Sequence, residues 1–182
     1  MALQRFKIEG FGQLELNQVA FRRDGRIEAQ CALGDEFADI PCENGMILGV
    51  DNVNGVVTTA VDGLPVALHY SAEHLYEEDA QGLKDFALEP GSFLPRLGYL
   101  AVGDKFTTNC LCYDTTDFAN DEALKEAYAG STAIYGGVSD NGAIKVSKAA
   151  PSTGLVLRAI KGTGAGSMPD GQFGMKFQVV KV

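Results

Sequence analysis

No stretch of the chain approaches the ~20 consecutive apolar residues that a membrane-spanning helix requires, so no membrane partner is expected. Met1 to Gly10 likewise holds no uninterrupted apolar segment of the kind a secretory signal carries. The expected setting is a cytoplasm-like compartment, where the four cysteines stay reduced. Histidine is scarce: His69 and His74 are the only two, and they share one short stretch. A serine or cysteine triad would need one of them as its base, and the sequence contains no G-x-S-x-G elbow to present a nucleophile. Basic residues are also in deficit, 15 Lys and Arg against 24 Asp and Glu, for a formal charge of −9. A field of that sign opposes attraction to phosphates, so direct contact with nucleic acid is not expected. No repeat of fixed period and no low-complexity segment is present, which excludes a solenoid.

What is there suits a folded domain. Hydrophobic residues make up 46% and charged residues 21% of 182 positions, and a domain near this size buries roughly 70% of its extended surface. The charge is unevenly placed. Residues 1–26 carry five basic and three acidic side chains (+2), residues 27–130 four and nineteen (−15), and residues 131–182 six and two (+4). Basic ends around an acidic middle fit termini that dock on the centre of the same chain or of a neighbouring copy.

Turn chemistry is the strongest local signal. Asp24-Gly25, Asn44-Gly45, Asn54-Gly55, Asp62-Gly63, Asn141-Gly142 and Asp170-Gly171 are dipeptides that accept the positive φ of tight turns. Leu14 to Arg23 and Arg26 to Leu33 flank the first, Met46 to Val53 and Val56 to Val61 the third, and Ala133 to Val138 and Ala143 to Ser147 the fifth. Further strands are expected at Leu64 to Tyr70, Leu97 to Val102, Lys105 to Tyr113, Leu155 to Lys161 and Gln172 to Val182. In the last, Phe173, Met175, Phe177 and Val179 alternate with polar residues, the period of a strand with one buried face. Two short helices are expected. Ser71 would cap one running through Asp79; Asn120 would cap Asp121 to Ala129, with Gly130 at the left-handed position that ends many helices. These readings give a mainly β fold, an antiparallel hairpin-rich sandwich or barrel with one or two short helices. They divide the chain into a larger β lobe at 1–115, a helical connection at 116–130 and a smaller β lobe at 131–182.

Candidate chemistry is thin. Cys110 and Cys112 form a C-x-C in an expected strand, where residues two apart share a face. A second ligand pair would come from Cys31 and Cys42 or from His69 and His74, neither with familiar zinc spacing, and buried thiols are the expected state. Four cysteines would allow three full pairings as disulfides. Gly162-Thr163-Gly164-Ala165-Gly166 lacks the following helix of a dinucleotide fingerprint and the Lys-Ser/Thr of a phosphate loop, so it reads as a hairpin loop. Asp114, Asp117, Asp121 and Glu122 lack EF-hand spacing, as does Asp51-Asn52-Val53-Asn54-Gly55, and both read as solvated acids. No catalytic residue, cofactor or metal ligand is therefore assigned.

The segment Glu43-Asn44-Gly45-Met46-Ile47-Leu48-Gly49-Val50-Asp51 resembles the opening of small bacteriophage proteins that coat assembled heads. The runs Gly82-Leu83-Lys84-Asp85-Phe86 and Pro95 to Asn109 extend the likeness across residues 14–113. Resemblance to capsid decoration, or cement, proteins implies a β-rich chain without enzymatic activity. It implies binding to the outer surface of the major capsid protein lattice, self-association that is often trimeric, synthesis in the host cytoplasm and a place on the virion surface. Within that reading, the basic and aromatic residues Arg5, Phe6, Lys7, Phe11, Arg22 and Arg23 are the candidate contact surface, because arginine and aromatics are enriched in interface cores. Phe6, Phe11 and Phe21 could equally fill the chain's own core. Two other classes remain open: another virion component such as a tail or head-fibre module, and a small β-barrel ligand carrier or enzyme with a concave pocket.

Overall fold

The structure, a computed structural model, describes residues 3–15, 27–28, 31–71, 83–89, 95–162 and 166–182. Among these, strands dominate and one α-helix is present. A seven-stranded sheet runs in the order β1 (Leu3–Arg5), β11 (Leu111–Asp114), β13 (Ile144–Ser147), β12 (Tyr135–Gly137), β14 (Val156–Ile160), β15 (Met175–Lys181) and β10 (Lys105–Thr108). A six-stranded sheet runs β2 (Ile27–Glu28), β9 (Leu97–Tyr99), β7 (Val66–His69), β5 (Ile47–Asp51), β6 (Val56–Thr58) and β3 (Ala32–Leu33). β4 (Cys42–Glu43) and β8 (Ala87–Leu88) form a two-stranded ribbon. The mainly β expectation holds, and the antiparallel pattern is joined by two parallel ladders, β11 with β13 and β3 with β6. A parallel pair needs a crossover. Between β11 and β13 the chain supplies it with α1 (Asp121–Ala129) and β12. Pairing runs across the divisions at 115 and 131, since β1, β10 and β11 share the seven-stranded sheet with β12 to β15.

The glycine punctuation places the turns. Gly45, Gly55, Gly63, Gly142 and Gly171 all have positive φ, and no other residue type does among the described residues. Asn54-Gly55 closes the antiparallel β5–β6 hairpin, and Asn141-Gly142 closes β12–β13. Asp24-Gly25, residues 72–79 of the helix expected after Ser71 and most of the strands flanking Gly25 lie outside the described residues. β15 follows its period of two: Met175, Phe177 and Val179 are fully buried, while the intervening Lys176 and Gln178 are half-buried.

The expected continuous strand Lys105 to Tyr113 breaks at Asn109-Cys110. β10 pairs with β15 at one end of the sheet, whereas β11 pairs with β1 and β13 near the other. Five strand spacings, ~24 Å in a flat sheet, would separate them. Three residue steps from Thr108 to Leu111 span at most ~11 Å. The sheet therefore curls back until its ends meet. Residues 6–14 cross the seam: β1 pairs with β11, and Leu14 bridges Thr108 of β10.

Inside the curl lies a core that includes Phe106, Leu111, Tyr113, Ile144, Val146, Leu157, Met175, Phe177 and Val179. Phe6 enters it from the seam and Phe118, Leu124 and Tyr128 from the helical segment. A second core joins Leu48, Val50, Val57, Ala67 and Leu97 of the six-stranded sheet to Cys42, Cys110 and Cys112. Ile47 and Leu68 belong to the first core and Leu48 and Ala67 to the second, so the central strands β5 and β7 are buried on both faces.

α1 begins as its sequence dictates, with Asn120 extended and its Oδ1 accepting from Ala123 N at 2.9 Å. Its end corrects the expectation of a left-handed Gly130. Gly130 is extended (φ −80°, ψ −164°), and Lys161 Nζ donates to the carbonyls of Ala127 (2.8 Å) and Gly130 (2.5 Å). A cation on the last carbonyls satisfies the helix end and its dipole without a left-handed residue.

Gly45 and Gly55 differ in one respect that can be measured. Both have positive φ, but a Cβ on Gly45 would overlap Thr108 Oγ1 and stand 3.1 Å from Cys110 Cβ, whereas nothing lies within 4 Å of one on Gly55. Gly55→Ala is expected to cost the backbone term alone, about 1–2 kcal/mol. Gly45→Ala is expected to cost clearly more, and urea unfolding of the two variants checks the difference.

Candidate functional site

The six candidate contact residues divide by direction. Arg5 turns inward: its Nη2 pairs with Glu43 Oε2 at 2.6 Å, with the two side chains 30% and 15% exposed. The same carboxylate oxygen accepts a short hydrogen bond from Gly12 N. Phe6 is buried, its ring 5.3 Å from that of Phe173 and its N–H donating to Leu111 O at 3.0 Å. Lys7 is exposed, with its backbone N–H on Asp121 Oδ2 at 3.2 Å. Phe11 is 36% exposed, and its N–H donates to Lys84 O at 2.7 Å. Arg22 and Arg23, like Phe21, lie outside the described residues. The structure thus brings Arg5 and Phe6 into the fold's own packing and leaves Lys7 and Phe11 facing outward.

Beside Phe11 is a groove of about 350 Å³ lined by Phe37, Ala38, Asp39, Ile40, Pro41 and Glu89. The 3-10 turn Asp35–Ala38 sets Phe37 beneath it and leaves Asp39 at the rim. An apolar floor with acids at its edge can seat an apolar side chain that carries a cation beside it.

Among the described residues, the histidine and the cysteines lie inside. His69 is fully buried on β7. Its Nδ1 is 2.8 Å from Glu43 O, its Nε2 2.9 Å from Ser71 Oγ, and Ser71 Oγ accepts from Arg96 N at 3.0 Å. A carbonyl only accepts, so Nδ1 carries the ring proton and Nε2 accepts from the Ser71 hydroxyl. Cys42 Sγ lies 3.5 Å from that same Nδ1. The nitrogen facing the thiol is therefore a donor and cannot take its proton. Burial lowers the His69 pKa to about 4 against the weaker opposing effect of the Glu43 carbonyl. Burial also pushes the Cys42 thiol well above its usual value, with Cys110 and Glu43 adding to the rise. Cys110 is raised to about 12 and Cys112 to about 11, burial again outweighing nearby Arg5.

The C-x-C residues share a face as their spacing implies: Cys110 and Cys112 join the second core, Leu111 and Tyr113 the first. All four cysteines are buried free thiols. Among the described residues no three His, Cys, Asp or Glu side chains converge in a metal-holding group. His74 and Thr163 to Ala165 lie outside those residues. The acids singled out by spacing have separate tasks. Asp114 Oδ1 accepts from Thr116 N and Oγ1, Asp121 Oδ1 from Tyr113 O–H at 2.6 Å, and Glu122 pairs with Lys125. Asp51 Oδ1 accepts from Val53 N and Asn54 N, shaping the β5–β6 turn. Sequence reasoning passed over Gln13, Asn109 and Gln172, polar residues without a motif. Gln13 Nε2 donates to Asp170, Asn109 Oδ1 accepts from Gln13 N, and Gln172 exchanges two hydrogen bonds with the backbone of Glu9.

Comparison with protein-family models, with curated proteins and with solved structures gives no match for this chain. Fold and geometry define it as a β-rich protein built on a curled sheet, with His69 and the thiols held inside.

Two outcomes follow from the buried groups. Because folding disfavours protonated His69, the unfolded chain takes up more protons between pH 6.5 and about 4. The stability this residue contributes is complete above pH 6.5 and drains as pH falls to about 4, in all about 3 kcal/mol. The difference in melting behaviour between the parent chain and His69→Gln across that window checks it; parallel pH profiles would sink it. The thiols of Cys31, Cys42, Cys110 and Cys112 are expected to stay unreactive toward a disulfide reagent at pH 8 in the native protein, and all four to react once guanidinium unfolds it.

Proposed function

We propose that this chain is a structural protein of a bacteriophage head, one that binds the outer surface of the major capsid lattice and stabilises the shell. The observation that carries the reading is the direction its side chains face. Among the described residues, His69 is neutral and the thiols stay protonated in the interior, while Phe11 and its acid-rimmed groove face out. A surface of this kind serves contact. The segments that resemble decoration proteins belong to the framework: Glu43 to Asp51 enters β5, whose first four residues are fully buried, and Pro95 to Asn109 contains β9 and β10. A net charge of −9 keeps a protein present in many copies soluble and out of the packaged nucleic acid. Copies would associate with one another on the lattice, and the virion surface would be their location.

The test is co-sedimentation of the purified protein with empty shells assembled from the major capsid protein of the same genome. Stoichiometric binding is expected, weakened by Arg22→Glu with Arg23→Glu and by Phe11→Asp. Shells that exclude the parent protein would overturn the reading. Negative-stain images with copies confined to one vertex or to a tail would replace it with a role as a tail or fibre module.

A further inference from the structure

Where residues 12 and 13 meet Asn44 and Asn109, three buried side-chain polar atoms have no hydrogen-bond partner among the described residues. Asn44 is 2% exposed and Asn109 fully buried. Neither Oδ1 nor Nδ2 of Asn44 has a hydrogen-bond partner among the described residues, and Asn109 Nδ2 has none. The two residues flank one short stretch of chain. Asn109 N donates to Gln13 O at 3.3 Å and its Oδ1 accepts from Gln13 N at 2.7 Å. On the other side, a Cβ on Gly12 would stand 3.1 Å from Asn44 O and 2.9 Å from Cys110 Cβ. Gly45, next to Asn44, packs against Thr108 and Cys110, the neighbours of Asn109.

Folded proteins pair nearly all buried amides, since removing one from water without replacing its hydrogen bonds is costly. The unmatched atoms here are one acceptor and two NH₂ groups, so the missing partner must both donate and accept. A metal cation meets only one of those needs. An anion is opposed by the Glu43 carboxylate, which a Cβ on Gly12 would approach to 2.6 Å. Water meets both, and a buried water with two to four polar partners is an ordinary element of a protein interior.

We propose that this junction is an internal hydration site, in which ordered water hydrogen-bonds the side-chain amide of Asn44 and the Nδ2 of Asn109. The strap covers it: Gly12 N is held by Glu43, Gln13 by Thr108 and Asn109, and Leu14 by its bridge to Thr108. Exchange with bulk solvent requires the strap to lift, so the residence time of the water reports the opening of the seam.

The probe is water itself, observed on the ¹⁵N-labelled full chain. Water-to-amide NOE and ROE spectra are expected to give long-lived contacts to the Asn44 and Asn109 side-chain NH₂ groups, and Asn44→Leu is expected to weaken the contact that remains at the Asn109 NH₂. A crystal structure at better than ~1.5 Å supplies the second measurement, with water expected within hydrogen-bond distance of the Asn44 amide. Amides that show no bound water, or that pair with other protein groups, would overturn the proposal. Should Asn44→Leu fail to fold, the spectra and density of the parent chain decide it alone.

Discussion

Because only Asn109 and Cys110 separate β10, at one end of the seven-stranded sheet, from β11, next to the other, the rest of the molecule has to accommodate a sheet bent back on itself. A curled sheet of seven strands encloses a volume that must be filled at the density of a solid. The aromatic residues Phe106, Tyr113 and Phe177 line it, with Phe106 and Phe177 6.1 Å apart and tilted at 42°. The six-stranded sheet then covers the face of β11 that points away from this interior. That face carries Cys110 and Cys112, small apolar side chains that allow close approach. The thiols are thus where the geometry calls for compact, weakly polar filling.

Curling alone would leave an open seam with unpaired strand edges, and such edges are liabilities unless covered. Residues 3–15 cover this one. β1 adds a strand beside β11, Phe6 inserts its ring, and Leu14 and Glu15 reach β10, where Glu15 N donates to Thr107 O at 2.9 Å. Side chains then fasten the strap from three directions. Arg5 and Gly12 converge on Glu43, Gln13 reaches Asp170, and Gln172 returns to Glu9. These attachments link the ribbon β4–β8, the end of β10 and the loop before β15 through one segment. The Arg5–Glu43 pair also realises, within one chain, the docking of a basic end on the acidic middle that the charge distribution implies.

This non-local fastening marks the limit of what the sequence could reveal. Gly45, Gly55 and Gly142 were legible because positive φ is a local demand that the dipeptides announce. β15 was legible because one face of it meets the core at every second residue, and Asn120 because a cap is a contact three residues long. The break at Asn109-Cys110 was not, since Lys105 to Tyr113 reads as one strand and only the choice of distant partners divides it. The end of α1 was misread for the same reason: Lys161, 31 positions from Gly130, does the work that a left-handed glycine would do locally. Arg5 and Phe6 carry the composition of an interface, and composition cannot say whether the surface they meet belongs to another molecule or to the chain itself.

His69 shows why inward placement bears on function. Its ring ties β7 to the end of β4 through the Glu43 carbonyl and to Ser71 and Arg96 beyond. The two nitrogens are committed to opposite roles, and exchanging those roles would set an acceptor at Nδ1 against the Glu43 carbonyl, which cannot donate. The proton cannot move without breaking that chain, so the histidine acts as a rigid brace. Cys42, Cys110 and Cys112 of the second core are rigid in the same sense, because ionising any of them would place a charge in a poorly solvated interior beside its neighbours. A chain that commits its only described histidine and its thiols to bracing keeps an interior of fixed charge over a wide pH range above neutrality. Its exterior is then the part left to vary in what it contacts.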